Sequence, residues 1–479
     1  MLHDESTTSK LREGNAYEVK LSPARNRLLA ILAAVGLITA LIVGFTTSTP
    51  SLWGLLPIAL YAVLALLSMD IVVATVIALL SGLLILQPAP VEVGNLLGDS
   101  LGEFITTIGL IIMLGAGVGE ILKETGVAST IVKGVMRAVG ERNMMAVTFG
   151  VMLACGILVA SLGTLAGAIA IAAPILLPIT ARLGFTKSAT ASMLFIGGGA
   201  GLAMAPFAGS NVVIMGAADV TYIQYVLFGG GPLALLSLAL GPFIVRWIQS
   251  RTANQDDYYD ADEFGGEEVT LPAHAGRTTI VFAVVLLVSV GYAVLTAAGT
   301  SFPLLALPTI GIVTAMAARL SIADTVNFMY RGATKLISIF ILFWLLAALF
   351  LVIDLLAPFD VILENYGGAL SNSSPFVFAI LIAMLGWVGV PGATAAQVVL
   401  LDEVFGGIGA TLGITAASWV VILLFASKAD TYGPFPNANM IGVMGLARST
   451  NLKNMLITGW MLLVPACIMY GTILFFQTR

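Results

Sequence analysis

The sequence predicts an all-α polytopic membrane protein built from two inverted repeats. Composition is the first reason: hydrophobic residues make up 59% of the chain and charged residues 10%, with a mean hydropathy of +1.02. A soluble protein carries about a quarter charged residues. The second is length, because many apolar runs reach the roughly 20 residues that cross a bilayer. The third is internal repetition. Pro206, Phe207 and Asn211 recur as Pro434, Phe435 and Asn439, each 228 residues on, and Gly163, Gly184 and Thr186 recur as Gly392, Gly413 and Thr415 at 229.

Taken in order, residues 1–27 are polar and form a cytoplasmic tail with Lys10, Arg12, Lys20, Arg25 and Arg27. An extra first transmembrane helix follows over 28–51. The first repeat occupies 52–246, with spans starting near Leu52, Ile71, Phe104 and Tyr222, a hairpin at 145–181 and a broken helix at 188–218. Residues 247–277 read as an acidic, solvated cytoplasmic linker carrying Asp256, Asp257, Asp260, Asp262, Glu263, Glu267 and Glu268. The second repeat occupies 278–479, with spans near Thr279, Pro303, Leu336 and Met455, a hairpin at 375–409 and a broken helix at 411–447.

The cations choose between a re-entrant hairpin and two spans at each broken stretch. With the N-terminus cytoplasmic and both stretches re-entrant, all but two of the 21 cations fall inside, leaving Lys428 in the membrane and Arg479 outside. That bias follows the positive-inside rule. The count becomes about 11 transmembrane helices plus two re-entrant hairpins. Each half makes an odd number of crossings, so the second half is inserted upside down and the C-terminus is external. The expected location is the plasma (inner) membrane.

Non-helical backbone at membrane depth is tolerated only where protein or water covers it. Paired broken helices in a duplicated membrane protein point to a secondary transporter's binding site. Small residues there let backbone approach a ligand, and hydroxyls and amides serve as adaptable ligands. One half-site is expected at Ser161, Gly163, Thr164, Pro206, Gly209, Ser210 and Asn211. The other is expected at Pro391, Gly392, Ala393, Thr394, Thr431, Pro434, Asn437 and Asn439. Na⁺ positions are expected at Gly163 with Asn211 and at Thr394 with Asn439. Asn211 and Asn439 are taken as repeat equivalents. The alternative for the Gly and Thr positions is plain helix packing.

Lys428 and Asp430 break the symmetry, since Ala200 and Leu202 stand at the equivalent positions. Charge inside a span marks an ion or proton route. Asp430 is therefore the candidate proton- or sodium-responsive group, with Lys428 holding it ionised or pairing with a substrate carboxylate. A structural ion pair, or a span that ends before Lys428, remains the alternative. Asp402 and Glu403 are placed near the hairpin base, and Glu120 and Asp354 near span ends, all facing water.

With these residues in view, the chain resembles the ion transporter superfamily. Its architecture is similar to that of the divalent-anion/sodium symporters. The run from Leu114 to Gly119, through Glu124 to Ala128 and on to Gly140, is more similar to gluconate permeases. The symporters' Ser-Asn-Thr tip signature is absent; the tips read Ser161-Leu-Gly-Thr164 and Pro391-Gly-Ala-Thr394. The resemblance implies an elevator-type transporter, in which hairpins and broken helices slide against a scaffold that forms a homodimer.

The leading expectation is Na⁺- or H⁺-coupled symport of a small organic anion, a carboxylate such as a sugar acid, hydroxy acid, or di- or tricarboxylate. The alternative is a Na⁺/H⁺ antiporter without organic substrate. An enzyme is not expected: the histidines, His3 and His274, lie in loops, and no helix carries a zinc HExxH signature. Cys155 and Cys467 lie in apolar runs and imply no disulfide framework. No cofactor beyond the coupling ion, and no nucleic-acid partner, is expected.

Overall fold

The computed structural model describes residues 23–67, 69–140, 143–260, 271–296, 298, 301–358, 361, 364–365, 374–387, 394–433 and 435–478, with backbone alone at 66, 428–430 and 438. The described residues form helices and connecting turns. Helices α1 (Pro23–Thr46), α2 (Leu56–Leu66), α3 (Ile71–Leu86) and α4 (Pro90–Asp99) open the chain. Next come α5 (Phe104–Glu124), α6 (Val127–Val139), α7 (Met144–Leu162), α8 (Leu165–Arg182), α9 (Lys187–Met204) and α10 (Gly209–Ala217). A short α11 (Tyr222–Tyr225) passes through a π turn into α12 (Gly231–Thr252). The second half holds α13 (Ala275–Leu295), α14 (Pro303–Ala317), α15 (Ile322–Thr334), α16 (Ile337–Leu356), α17 (Pro375–Leu385), α18 (Thr394–Thr411), α19 (Ala416–Tyr432), α20 (Ala438–Leu446) and α21 (Leu452–Gln477).

Among the described residues, nine helices are long and apolar enough to cross a membrane. The predicted spans all correspond to helices, although α2, α3, α14 and α19 are shorter than the rest. In the stretch read as the first hairpin, α7 and α8 meet at Gly163-Thr164, and each is by itself long and apolar enough to cross a membrane. The broken helix of the second half begins at Ala416, later than the predicted 411. The reason is local: Gly413 takes φ +75 and ends α18, and Thr415 then caps α19 by accepting from Ser418 N. Gly184, at φ +74, and Thr186, which accepts from Ala189 N, do the same between α8 and α9. The repeated Gly and Thr pairs are thus helix stops and starts.

Helix boundaries share the offset seen in the Gly and Thr motifs. Leu165 and Thr394 begin α8 and α18, Lys187 and Ala416 begin α9 and α19, and Gly209 and Ala438 begin α10 and α20, each 229 apart. The Pro-Phe motif sits one residue earlier, relative to these boundaries, in the second half. Consequently Asn211 is the third residue of α10, whereas Asn439 is the second residue of α20. By helix position Asn439 corresponds to Ser210, which corrects the pairing of Asn211 with Asn439. The halves also exchange partners: α10 packs on α18, and α20 packs on α8.

The chain divides into two compact units. The smaller comprises residues 1–103 and 344–364, and the larger comprises 104–343 and 365–479. This division does not follow the predicted repeat boundaries at 52–246 and 278–479. In the smaller unit α1 and α2 pack on α3, and Trp344 Nε1 donates to Leu97 O at 3.0 Å. In the larger unit α9 is almost wholly buried between α7, α12 and neighbouring helices. Its approach to α7 is backbone on backbone. A Cβ at Gly201 would collide with Gly156 O, and one at Gly197 with Met152 O.

Two acidic predictions are corrected here. Residues 247–252 belong to α12, and α13 begins at Ala275, so the linker is shorter than 247–277. Within it Asp257 is buried, not solvated: its carboxylate accepts from Ser188 N at 3.1 Å and its carbonyl from Lys187 N at 2.6 Å. A carboxylate suits those first amides of α9. Asp262, Glu263, Glu267 and Glu268 lie outside the described residues. Glu120, expected at a wet face, is 5% exposed and accepts from Lys335 at 2.5 Å and Arg331 at 3.0 Å. A buried carboxylate requires such partners, and this one joins α5 to α15.

Adding a branched side chain where α9 meets α7 forces the helices apart. Gly201→Leu is expected to destabilise the protein by at least about 3 kcal/mol, while Gly134→Ala, which meets nothing within 4 Å, stays near wild type. Thermal unfolding of the purified variants in detergent checks both.

Candidate functional site

Tip and break meet in the first half. Gly163 caps α7 with φ +69, a left-handed conformation that favours glycine. A Cβ at Gly163 would lie 3.3 Å from Ala208 N and 3.4 Å from Phe207 O, so the hairpin turn rests on the break between α9 and α10. Thr164 caps α8 by accepting from Gly167 N at 3.2 Å, and Ser161 Oγ donates back to Ile157 O at 2.8 Å. Gly209 begins α10 against Ile112 of α5, where a Cβ would collide with the Ile112 side chain.

Where a helix ends, its last carbonyls lack helical partners. At the first break every carbonyl from Leu202 to Ala205 receives a side-chain donor. Asn211 Nδ2 donates to both Leu202 O and Ala205 O at 2.8 Å. Tyr225 Oη donates to Ala203 O at 3.0 Å, and Tyr222 Oη to Met204 O at 2.6 Å. Asn211 is 1% exposed, and Ser210 Oγ donates to its Oδ1 at 3.4 Å. Pro206 lies in the turn that these donors close. This break is sealed by protein, which weakens the case for an ion at Gly163 and Asn211: a cation there competes with donors already pointing at the same oxygens.

At the second break the described contacts run through Asn437. Asn437 caps α20, its Oδ1 accepting from Met440 N at 2.9 Å, and its Nδ2 reaches Thr431 O at 3.5 Å, the outer limit of a hydrogen bond. Leu202 and Thr431 are 229 apart, so the equivalent carbonyl meets an asparagine amide in both halves, tightly in one and distantly in the other. Thr431 and Asn437 are buried and Asn439 is half-buried. Thr394 opens α18. The tip residues Pro391, Gly392 and Ala393, and Pro434 at the break, lie outside the described residues. Lys428 and Asp430 fall in the last turns of α19, and their side chains lie outside the description.

Several polar side chains were not singled out from sequence. Tyr432 is buried, shares a hydrogen bond with Ser237 at 2.9 Å and packs edge-on to Phe195 at 5.9 Å. Gln397 is buried and its Nε2 donates to Gly386 O, tying the second hairpin's arms together. Asp402, placed in water by the sequence reading, is half-buried and accepts from Trp419 Nε1 at 2.7 Å. The available signal was a phenol or amide inside an apolar run, which must find a partner once buried. Among the described residues no cluster of three or more His, Cys, Asp or Glu is arranged to hold a metal ion.

Known proteins share this organisation. The sequence model of the Na⁺/H⁺ antiporter family matches residues 6–239, covering the chain from its tail through most of the first half. The fold is similar to the crystal structure of the YdaH transporter from Alcanivorax borkumensis, itself described as having an unusual topology. The TM-score is 0.59 over 95% of this chain and 99% of that one, at 17% identity. No curated protein sequence matches the chain. The chain is thus a multi-pass membrane protein with a transporter's fold.

Removing the amide of Asn211 leaves Leu202 O with only the long bond from Ala205 N at 3.3 Å and Ala205 O with only that from Ala208 N at 3.4 Å. Asn211→Ala is expected to cost about 2 kcal/mol, and Asn211→Asp at least as much, given the usual 1–3 kcal/mol for an unsatisfied buried group. Thermal unfolding in detergent measures it; an unchanged melting temperature would contradict the clamp.

Proposed function

We propose that the protein is a secondary transporter that exchanges Na⁺ for H⁺ across the membrane. The observation that carries this reading is the match of residues 6–239 to the Na⁺/H⁺ antiporter family. It favours exchange over the organic-anion symport that the hairpin tips suggested. Support also comes from Asp430, an acidic residue two positions after Lys428 in a mostly apolar helix. Ionisable residues in such places mark ion and proton routes. One carboxylate that binds either a proton or Na⁺, never both, makes an exchanger once it faces the two sides alternately.

The working ion site is assigned to the second half, with Thr394, Asn439 and Asp430 around the second break. The sealed first break acts as a rigid counterpart. The swap of α10 onto α18 and α20 onto α8 ties the two breaks into one body. That body is the moving part of an elevator, working in the plasma (inner) membrane with the N-terminus cytoplasmic and the C-terminus external.

Proteoliposomes carrying a trapped pH dye test the reading. An external Na⁺ jump should alkalinise the lumen with no organic anion present, and Asp430→Asn should slow that change at least tenfold. If the pH change, or a current, required a sugar acid, hydroxy acid or dicarboxylate, exchange would give way to symport. If Asp430→Asn kept the rate and pH dependence of wild type, the residue assignment would fall.

A further inference from the structure

A cavity of about 320 Å³ lies beside the first break, between the Pro206–Phe207 turn, α10 and α11 on one side and α13 and the start of α14 on the other. It is not part of the ion site assigned above. Its walls include three aromatic rings, Phe207, Tyr222 and Phe302, with Met215 and Val290 among the apolar side chains. Phe302 is held by stacking on Tyr292, with ring centroids 5.4 Å apart. Among the described residues no lysine or arginine lines the cavity, and its one carboxylate is Asp219.

Asp219 stands where a negative charge is locally unfavourable. It follows α10 in the left-handed conformation, φ +50, and its amide closes the helix end on Gly216 O at 3.2 Å. The C-terminal end of a helix carries partial negative charge and favours cations. The equivalent position of the second half, 229 residues on, is Arg448, also left-handed at φ +56. One repeat therefore places the cation that a helix end favours, and the other places an exposed carboxylate beside a cavity. Among the described residues Asp219 has no ion-pair partner.

A carboxylate added to the negative end of a helix, above aromatic and apolar walls, is the chemistry that recognises an organic ammonium ion. The aromatic faces attract the cation, the apolar walls take its alkyl groups, and the carboxylate supplies the counter-charge. An anion would meet the negative charge of Asp219. The cavity volume matches the small end of ligand pockets. We infer that this cavity is a binding site for a small organic ammonium ion, held by Asp219 and the rings of Phe207, Tyr222 and Phe302. The inference does not rest on Na⁺/H⁺ exchange, because the cavity and its charge stand whatever the coupling ion is.

Calorimetric titration of the purified full-length protein with choline chloride at constant ionic strength tests it. The control ligand is the neutral isostere of choline, 3,3-dimethylbutan-1-ol. Saturable choline binding with a Kd on the order of 1 mM is expected. The alcohol should bind at least about tenfold more weakly, as expected when the cation–ring and charge terms are removed. Asp219→Asn keeps a residue type that accepts the left-handed conformation and should weaken choline about tenfold. Phe302→Leu should weaken it about fivefold. Equal binding of choline and the alcohol would show a merely apolar cavity and overturn the proposal. So would absence of saturable choline binding, or unchanged affinity in Asp219→Asn. Each of these leaves Na⁺-driven pH changes in liposomes untouched, so failure here is separable from failure of the exchange reading.

Discussion

A helix that stops inside an apolar interior strands its last carbonyls where no water can reach them, and each stranded group costs more than a typical hydrogen bond contributes. The first half of this protein meets that constraint with side chains. Asn211 folds back from α10 to two carbonyls of α9, and Tyr222 and Tyr225 reach the two between. Once these donors are in place the break has a fixed shape, and its neighbours conform to it. Gly163 has to lack a side chain because the hairpin turn rests on Phe207 and Ala208, and Gly209 because α5 lies against the start of α10. The Gly156, Gly197 and Gly201 contacts then let α7 follow α9 at backbone distance up to that turn.

In the second half the described contacts are of a different kind. Asn437, not a residue inside α20, supplies the amide, and its reach to Thr431 is long. Tyr432 is held by Ser237 of α12 and packs against Phe195 and Gly199, so the end of α19 is anchored on the first half. The two breaks thus differ among the described residues: side-chain donors clamp the first, and Asn437 caps the helix after the second. The charged pair Lys428 and Asp430 occurs only beside the second. Those two charges in the last turns of an apolar helix are the basis for proposing the ion site in the second half.

Much of this was legible in the sequence because helix ends write themselves locally. Gly184, Gly413, Thr186 and Thr415 stood out as repeated positions, which the structure uses as left-handed turns and hydroxyl caps, and the turn between α7 and α8 falls at the Gly and Thr of that apolar stretch. Partners across space were not legible. Tyr222 donates to a carbonyl 18 residues earlier and Asp257 accepts from a helix start 69 residues away, and nothing near those residues in sequence announces it. Asn211 and Asn439 looked equivalent because the Pro-Phe motif slid by one residue against the helix boundaries. Acidic residues read as solvated, Glu120 and Asp257 among them, are buried against cations or helix amides.

The division of labour between the breaks is tested most directly by the Na⁺ concentration giving half-maximal luminal alkalinisation, compared between Asn211→Ala and Asn439→Ala. Asn439→Ala should raise it at least tenfold, while Asn211→Ala should leave it within about twofold even as the protein melts earlier, a loss of 1–3 kcal/mol in stability being separate from ligand affinity. A large shift in Asn211→Ala, with Asn439→Ala unchanged, would place the ion at the sealed break and contradict the account.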